Sequence, residues 1–397
     1  MPMHIALVST FPPSKGTLNE YGFHFARALE KKPEVSRLSI IADTLSENVK
    51  EAENIHRVWS FNDAKNAWKI NKKLDELNPD AVIFNLQFAS FGDQRIPAAL
   101  GLLAPWMSKR KRLSFTLLHN LFETVDLTNA GYAKNPVIKT AMNLAGNAFT
   151  RALLKSDLIA TTMPRYVDIL RENYGAKNAF LAPHGSFDVG HIAPLPEAPT
   201  VMTFGKFGTY KKVEVLLEAH AQLQKHLPDV RLVIAGSDSP NAKGYLETAQ
   251  KQYSHLSNVE FTGYVAEEDV PRIFSEATVV AFPYESTTGS SGVLHQAGQF
   301  GRAAVMPEIG DLADLIADEG YKALSFKPGD VASLTAALYE LLSNRAKAQE
   351  LGEANHRAAS GITLDDVADW YLLHISRLLG QTWTLTAQPK PTASSTI

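Results

Sequence analysis

The sequence predicts an α/β protein built as two Rossmann-like, doubly wound domains facing each other across a cleft. Apolar runs of strand length alternate with amphipathic helical stretches as far as Pro183, which implies a parallel sheet covered on both faces. The same alternation restarts at Thr200. A chain of 397 residues also exceeds what one core normally serves, so two domains of similar size are expected.

In the first half, residues 5–9 read as a strand, 10–19 as a loop rich in Pro, Gly and Ser, and 21–30 as a helix that carries Phe23, Phe25, Ala26 and Leu29. Apolar strands follow at 38–42, 81–86, 113–118, 158–162 and 179–183. Helices fall near 63–77, 96–107, 136–154 and 166–173. Pro183-His184-Gly185-Ser186 closes the unit. In the second half, strands are expected at 201–204, 232–235, 259–261, 278–282 and 303–306, with helices at 213–224, 331–342 and 345–359. Within it, an apolar strand stopped by Pro283 leads through Gly289-Ser290-Ser291-Gly292 into a helical pattern of Val293, Leu294, Ala297 and Phe300, ended by Gly301. A last helix covers 364–379, and the Thr/Pro/Ser-rich residues 382–397 read as disordered. The domain limits expected are 1–186 and 187–361, with 381–397 as a tail.

With 45% hydrophobic and 20% charged residues, the composition is that of an ordinary soluble protein. The absence of cysteine excludes disulfides, thiolate nucleophiles and Cys-ligated zinc. No apolar run is long enough to span a bilayer, and no signal peptide is visible, so a cytoplasmic location is expected. The net charge of −3 hides an asymmetry: residues 1–190 carry 23 Lys and Arg against 18 Asp and Glu, and residues 191–397 carry 16 against 24. The Lys109-Arg110-Lys111-Arg112 run beside Trp106 and Met107 has the composition of a contact with an anionic membrane surface, which would make the protein peripheral to the inner face. A solvated helix end accounts for the same residues. Nothing points to nucleic acid.

Ligands of open parallel sheets bind beyond the carboxyl ends of the strands. Four such ends carry the functional expectation. The loop from Phe11 to Thr17 contains Gly16, where a ligand can approach the backbone. His119 and Asn120 follow the strand at 113–118. Gly205-Lys206-Phe207-Gly208, with Lys211 and Lys212, follows the first strand of the second half. The Gly289–Gly292 turn exposes backbone N–H groups at a helix start, a geometry that holds phosphate.

Gly205-Lys206-Phe207 with Lys211, Phe261-Thr262-Gly263-Tyr264-Val265 and Gly289 to Gly301 together resemble the retaining glycosyltransferases of family 4, whose two-domain architecture is called GT-B. The likeness runs nearly end to end. It implies a nucleotide-diphosphate sugar held mainly by the C-terminal domain and a hydroxyl acceptor held mainly by the N-terminal one, onto which helix 362–380 packs back. It further implies transfer with retention, His119 beside the donor sugar, and Gly263 and Tyr264 near the nucleobase. One departure is informative. The family's two glutamates, with seven residues between them, fall on Thr288 and Gln296, and Glu285 is the carboxylate nearest in sequence to the first.

Departure of a diphosphate from a sugar develops negative charge that cations and dipoles must already be placed to meet. Lys206, Lys211 and His119 are therefore the expected catalytic group. Gly16, Gly205, Gly263, Tyr264, Glu285, Thr288, Gly289, Ser290, Ser291, Gly292, Val293 and Gln296 are the expected donor-binding set. No Asp-x-Asp pair or His/carboxylate cluster points to a metal, and no other cofactor is expected. His184 and His295 read as structural, since a linker turn and a helix need no imidazole. The expected activity is metal-independent, retaining hexosyl transfer to a polysaccharide, glycolipid or small glycoside, the acceptor being lipid-linked if the basic cluster meets a membrane. The altered glutamates keep a second reading open, a catalytically weak subunit that binds a nucleotide sugar or glycan. An epimerase or phosphorylase of similar architecture is a third.

Overall fold

The computed structural model describes residues 2–47, 49–124, 146–239, 241–287 and 289–381. The N-terminal lobe holds a seven-stranded sheet of β1 (Met3–Val8), β2 (Val35–Asp43), β3 (Ile55–Trp59), β4 (Ala81–Leu86), β5 (Leu113–Leu118), β6 (Leu158–Thr161) and β7 (Ala179–Leu181). Its order is β3-β2-β1-β4-β5-β6-β7, and every pairing is parallel. The C-terminal lobe holds β8 (Thr200–Phe207), β9 (Arg231–Asp238), β10 (Val259–Gly263), β11 (Val279–Ala281), β12 (Ala303–Pro307) and β13 (Ala323–Phe326). Here the order is β10-β9-β8-β11-β12-β13, again all parallel.

Strands covered on both faces are apolar throughout: all six residues of β4 are buried, as are all five of β12. In each sheet the chain winds outward on one side and then returns to the other side of its first strand. The reversal falls between β1 and β4 in the first sheet and between β8 and β11 in the second. At such switch points the loops diverge and leave a crevice. One apolar cluster joins the lobes, since Leu118, Met163 and Tyr166 belong to the same packed group as Phe282, Leu294 and Leu312.

The closing helix Leu364–Leu378 returns to the N-terminal lobe. Its start is fixed by a capping box, the Thr363 hydroxyl accepting from the Asp366 amide while the Asp366 carboxylate accepts from the Thr363 amide. Thr363 also bridges Ser186, and Tyr371 packs on Phe25 and Phe115 of the first lobe.

Several elements differ from the sequence reading. β3 and β13 are short edge strands, half-buried and so without a continuous apolar run. The helices Tyr245–Gln252, Val270–Ser275 and Gly310–Glu319 were not anticipated. The helix expected over 96–107 is two, Arg95–Gly101 and Ala104–Ser108. Pro105 sits in the first turn of the second, and Gly101 packs so closely on Phe91 that a Cβ would lie 2.4 Å from its ring. Of the helix expected over 136–154, residues 146–153 are described and are helical; the rest, like residues 382–397, lies outside the described residues. Among the described residues, no helix is long and apolar enough to cross a membrane.

Candidate active site

All four strand ends singled out in the sequence meet at the crevice between the lobes. β8 runs three residues further than expected, so Gly205, Lys206 and Phe207 lie within the strand, paired with Gly236, Ser237 and Asp238 of β9. From there Lys206 Nζ crosses to the first lobe and donates to the Lys15 carbonyl at 3.0 Å, beside Gly16. On the other side of the cleft, a Cβ on Gly289 would sit 2.3 Å from the His119 carbonyl oxygen, so only glycine, here at φ 78°, admits that approach. Lys211 Nζ lies 3.0 Å from where a Cβ on Gly205 would be. Tyr264, exposed after β10, receives Lys15 Nζ over its ring at 4.4 Å, which brings the Gly263–Tyr264 turn to the same rim.

The two lysines differ from surface lysines. Burial lowers the pKa of Lys206, with Glu20 across the cleft acting in the opposite direction. Burial, then the neighbouring Lys206, pushes Lys211 down to about 8. Among the described residues Lys211 has no carboxylate partner; its ammonium rests over Tyr284 at 4.5 Å and near Tyr210. The segment is held in place by backbone, Lys211 bridging Tyr284 and the Lys212 amide donating to Pro283. That anchor is the strand end from which the Gly/Ser turn departs. A desolvated cation without an acid beside it is a costly arrangement unless an anion completes it.

The turn supplies further positive potential. The Ser291 side chain caps the helix Gly292–Gln299 by accepting from the Leu294 amide. The Leu294 and His295 amides are also engaged by the Ser291 carbonyl, whereas the amides of Ser290, Ser291, Gly292 and Val293 have no acceptor among the described residues. The turn's other end is pinned from both lobes: the Gly289 amide donates to Tyr166 Oη of the first at 2.6 Å and to Asp311 Oδ2 of the second at 2.7 Å, and Tyr166 itself donates to Asp311.

His119 is buried at the end of β5, and desolvation, followed by repulsion from His184, holds its pKa well below the usual imidazole value. The Asn85 amide nitrogen donates to Ser9, so the Asn85 carbonyl faces the ring and His119 Nε2 donates to it at 2.7 Å. A neutral imidazole protonated on Nε2 keeps Nδ1 as an acceptor. Tyr21 lies edge-on to both His119 and His184, at 4.6 and 4.7 Å between ring centres.

His184 and His295, read from the sequence as structural, join this group. Their rings stack at 4.6 Å with 8° between planes, and His295 Nε2 is 3.0 Å from Ser290 Oγ. What placed them was a lobe-to-lobe contact that no local pattern announces. Glu20, Tyr21, Tyr166, Asp311 and Tyr321 were missed for the same reason. Three expectations fare differently. Glu285 is turned to Lys212, its carboxylate 2.9 Å from that ammonium, while its amide donates to the Tyr210 carbonyl at 2.9 Å. Gln296 is buried in the helix with no side-chain partner among the described residues, and Thr288 lies outside those residues. In the basic cluster, Lys109 pairs with Asp157 and both Lys111 and Arg112 with Asp75, leaving Arg110 stacked over Trp106. No group of three or more His, Asp or Glu among the described residues is placed to hold a metal ion.

Residues 198–344, which contain the lysines and the Gly/Ser turn, match the family described as glycosyl transferases group 1. The chain carries a group 1 glycosyltransferase domain. Among its relatives, the chain is 27% identical to O-antigen chain mannosyltransferase C of Escherichia coli over 253 residues, 61% of this chain and 66% of that one. It is 25% identical over 292 residues to the GDP-mannose-dependent alpha-(1-6)-phosphatidylinositol monomannoside mannosyltransferase of Mycolicibacterium smegmatis, 68% of this chain and 70% of the relative. Among solved structures, sucrose-phosphate synthase of Thermosynechococcus elongatus aligns with a TM-score of 0.74 at 17% identity, over 95% of this chain and 99% of the other. HepE of Anabaena, solved with UDP-glucose, aligns at 0.67 and 15%, over the same shares. These likenesses establish the fold as GT-B.

Proposed function

We propose that this glycosyltransferase moves a hexosyl group from a nucleoside-diphosphate sugar to a hydroxyl acceptor with retention of configuration, using lysines and peptide dipoles where other enzymes use a metal ion. The observation that carries the reading is Lys211: an ammonium desolvated in the cleft, beside Lys206 and next to the strand end that launches the amides of Ser290–Val293, with no carboxylate on the ammonium and no acceptor on those amides among the described residues. As the sugar–phosphate bond lengthens, charge grows on the departing diphosphate, and groups already fixed around it lower the barrier without reorganising. Neutral His119 brings an acceptor nitrogen, not a competing cation, to the side where the sugar becomes positive. Its partner Asn85 fixes which nitrogen that is.

Both relatives are named as mannosyltransferases and the second as GDP-mannose-dependent, which makes GDP-mannose the first donor to test; the second, acting on a phosphatidylinositol mannoside, also favours a lipid-linked acceptor. The ion pairs within Lys109–Arg112 leave little of that cluster free for a membrane, so the lipid acceptor is argued from the relatives instead. A cytoplasmic setting, where nucleotide sugars are made, completes the proposal. Lys206→Ala and Lys211→Ala should each lower kcat by about a hundredfold or more, the loss seen when one oxyanion donor is removed. Unchanged turnover in the double variant would refute the assignment. Wild-type protein that binds the nucleotide sugar without multiple turnovers would instead support a binding subunit, which the replacement of a family glutamate by Gln296 favours.

A further inference from the structure

We propose that His295 is a positioning residue that turns the Ser290 hydroxyl proton into the cleft, toward the donor diphosphate. The inference rests on the reading of that turn as the diphosphate site. Its starting point is a proton count along one line of side chains. Tyr321 Oη is 2.8 Å from His295 Nδ1; its other neighbour, the Ser186 hydroxyl, acts on the phenol as a donor to its oxygen, which leaves the phenol proton for the ring. A buried phenol donates its proton, so Nδ1 accepts. Burial and the adjacent His184 hold His295 well below the usual imidazole pKa, so the ring is neutral and its proton sits on Nε2. Nε2 therefore donates to Ser290 Oγ at 3.0 Å. The serine oxygen is occupied as an acceptor, which leaves its own O–H to donate elsewhere.

The surroundings hold this arrangement in one register. His184 covers the His295 ring face to face and fixes its plane. Tyr321 is buried and cannot be replaced by water. Glu319 Oε2 lies 3.7 Å from Nδ1, beyond hydrogen-bond length and farther than the phenol, and burial raises its pKa to about 7, which works against the carboxylate charge that would draw a proton to Nδ1. His184 comes from the segment linking the lobes. The direction of a donor-site hydroxyl is thereby tied to how the linker sits.

Glutamine and asparagine separate the two ring nitrogens. The amide nitrogen of Gln reaches about as far as Nε2, and the shorter Asn reaches about as far as Nδ1. Calorimetric titration with GDP and UDP, and with GMP and UMP, would be run on wild type, His295→Gln, His295→Asn, Ser290→Ala and Lys211→Ala. His295→Gln should keep diphosphate affinity within about threefold. His295→Asn and Ser290→Ala should each weaken it roughly tenfold or more, the scale of one hydrogen bond to a charged group. A variant combining His295→Asn with Ser290→Ala should be no worse than either single one. Monophosphate affinity should not change. Equal behaviour of the Gln and Asn variants, or an equal loss for mono- and diphosphates, overturns the positioning role. If Lys211→Ala weakens the diphosphate and the His295 variants do not, this inference fails while the site reading stands. If wild type binds neither diphosphate, both fall.

Discussion

At the scale of single residues, Lys211 makes the most exacting claim. Its pKa in the free protein is pushed down to about 8 by burial and then by Lys206, so above that pH an increasing fraction is neutral. An anion binds the ammonium form, so binding takes up a proton and must weaken as pH rises through about 8, approaching tenfold per pH unit beyond it. Nucleoside-diphosphate affinity measured by calorimetry between about pH 7.5 and 9.5 should show this slope, and Lys211→Met should abolish it. A flat profile in the wild type would place that ammonium away from the phosphates. Sequence reasoning found Lys211 because it sits just past a strand that ends in glycine, where backbone can approach a ligand. It missed His295 because that imidazole gains its role from Tyr321, 26 positions on, and from His184, 111 positions back.

At the scale of elements, the deeply buried strands were legible and the edges were not. β4 and β12 announce themselves as unbroken apolar runs, whereas β3 carries His56 and Arg57 and shows no such run. Yet β3 holds the first cleft loop in place. Arg57 donates to the carbonyls of Phe11 at 2.8 Å and Asp43 at 3.1 Å, and to that of Pro12, while pairing with Glu51 at 2.9 Å. Asp43 in turn accepts from the Phe11 amide at 3.0 Å and from Ser14. Removing the guanidinium strands two carboxylates and three carbonyls in a setting where the arginine side chain is 12% exposed. Arg57→Ala should cost about 3–5 kcal/mol in urea unfolding. It should also raise the donor KM, because Lys206 is bonded to the carbonyl of Lys15 in that loop. Arg57→Lys should recover little, since one ammonium cannot reach three carbonyls in the plane of a fork. Full stability in Arg57→Ala would show the loop to be held by its own turns.

At the scale of the whole molecule, the two lobes are not two independent sequence blocks. The helix Leu364–Leu378 follows the C-terminal sheet in the chain, yet buries Leu364, Val367, Ala368, Tyr371, Leu372 and Ile375 in the core of the first lobe, and Lys32 clasps its Asp369 at 2.8 Å. The i, i+3, i+4 spacing of those residues told that the helix has one apolar face; which lobe that face covers is a tertiary fact, decided by the strand-like bridge between Ser186 and Thr363 that aims the helix backward. Two positions of the same helix test this. Tyr371 is fully buried between Phe25 and Phe115, and its truncation to Ala leaves a cavity that should cost about 3–5 kcal/mol. Leu378, half exposed at the helix end, should tolerate Ala within about 0.5 kcal/mol. Both changes remove apolar atoms from one helix and barely alter its propensity, so a difference in thermal unfolding isolates the packing against the first lobe. Equal shifts would mean that the helix contributes through its own stability and the first lobe folds without it.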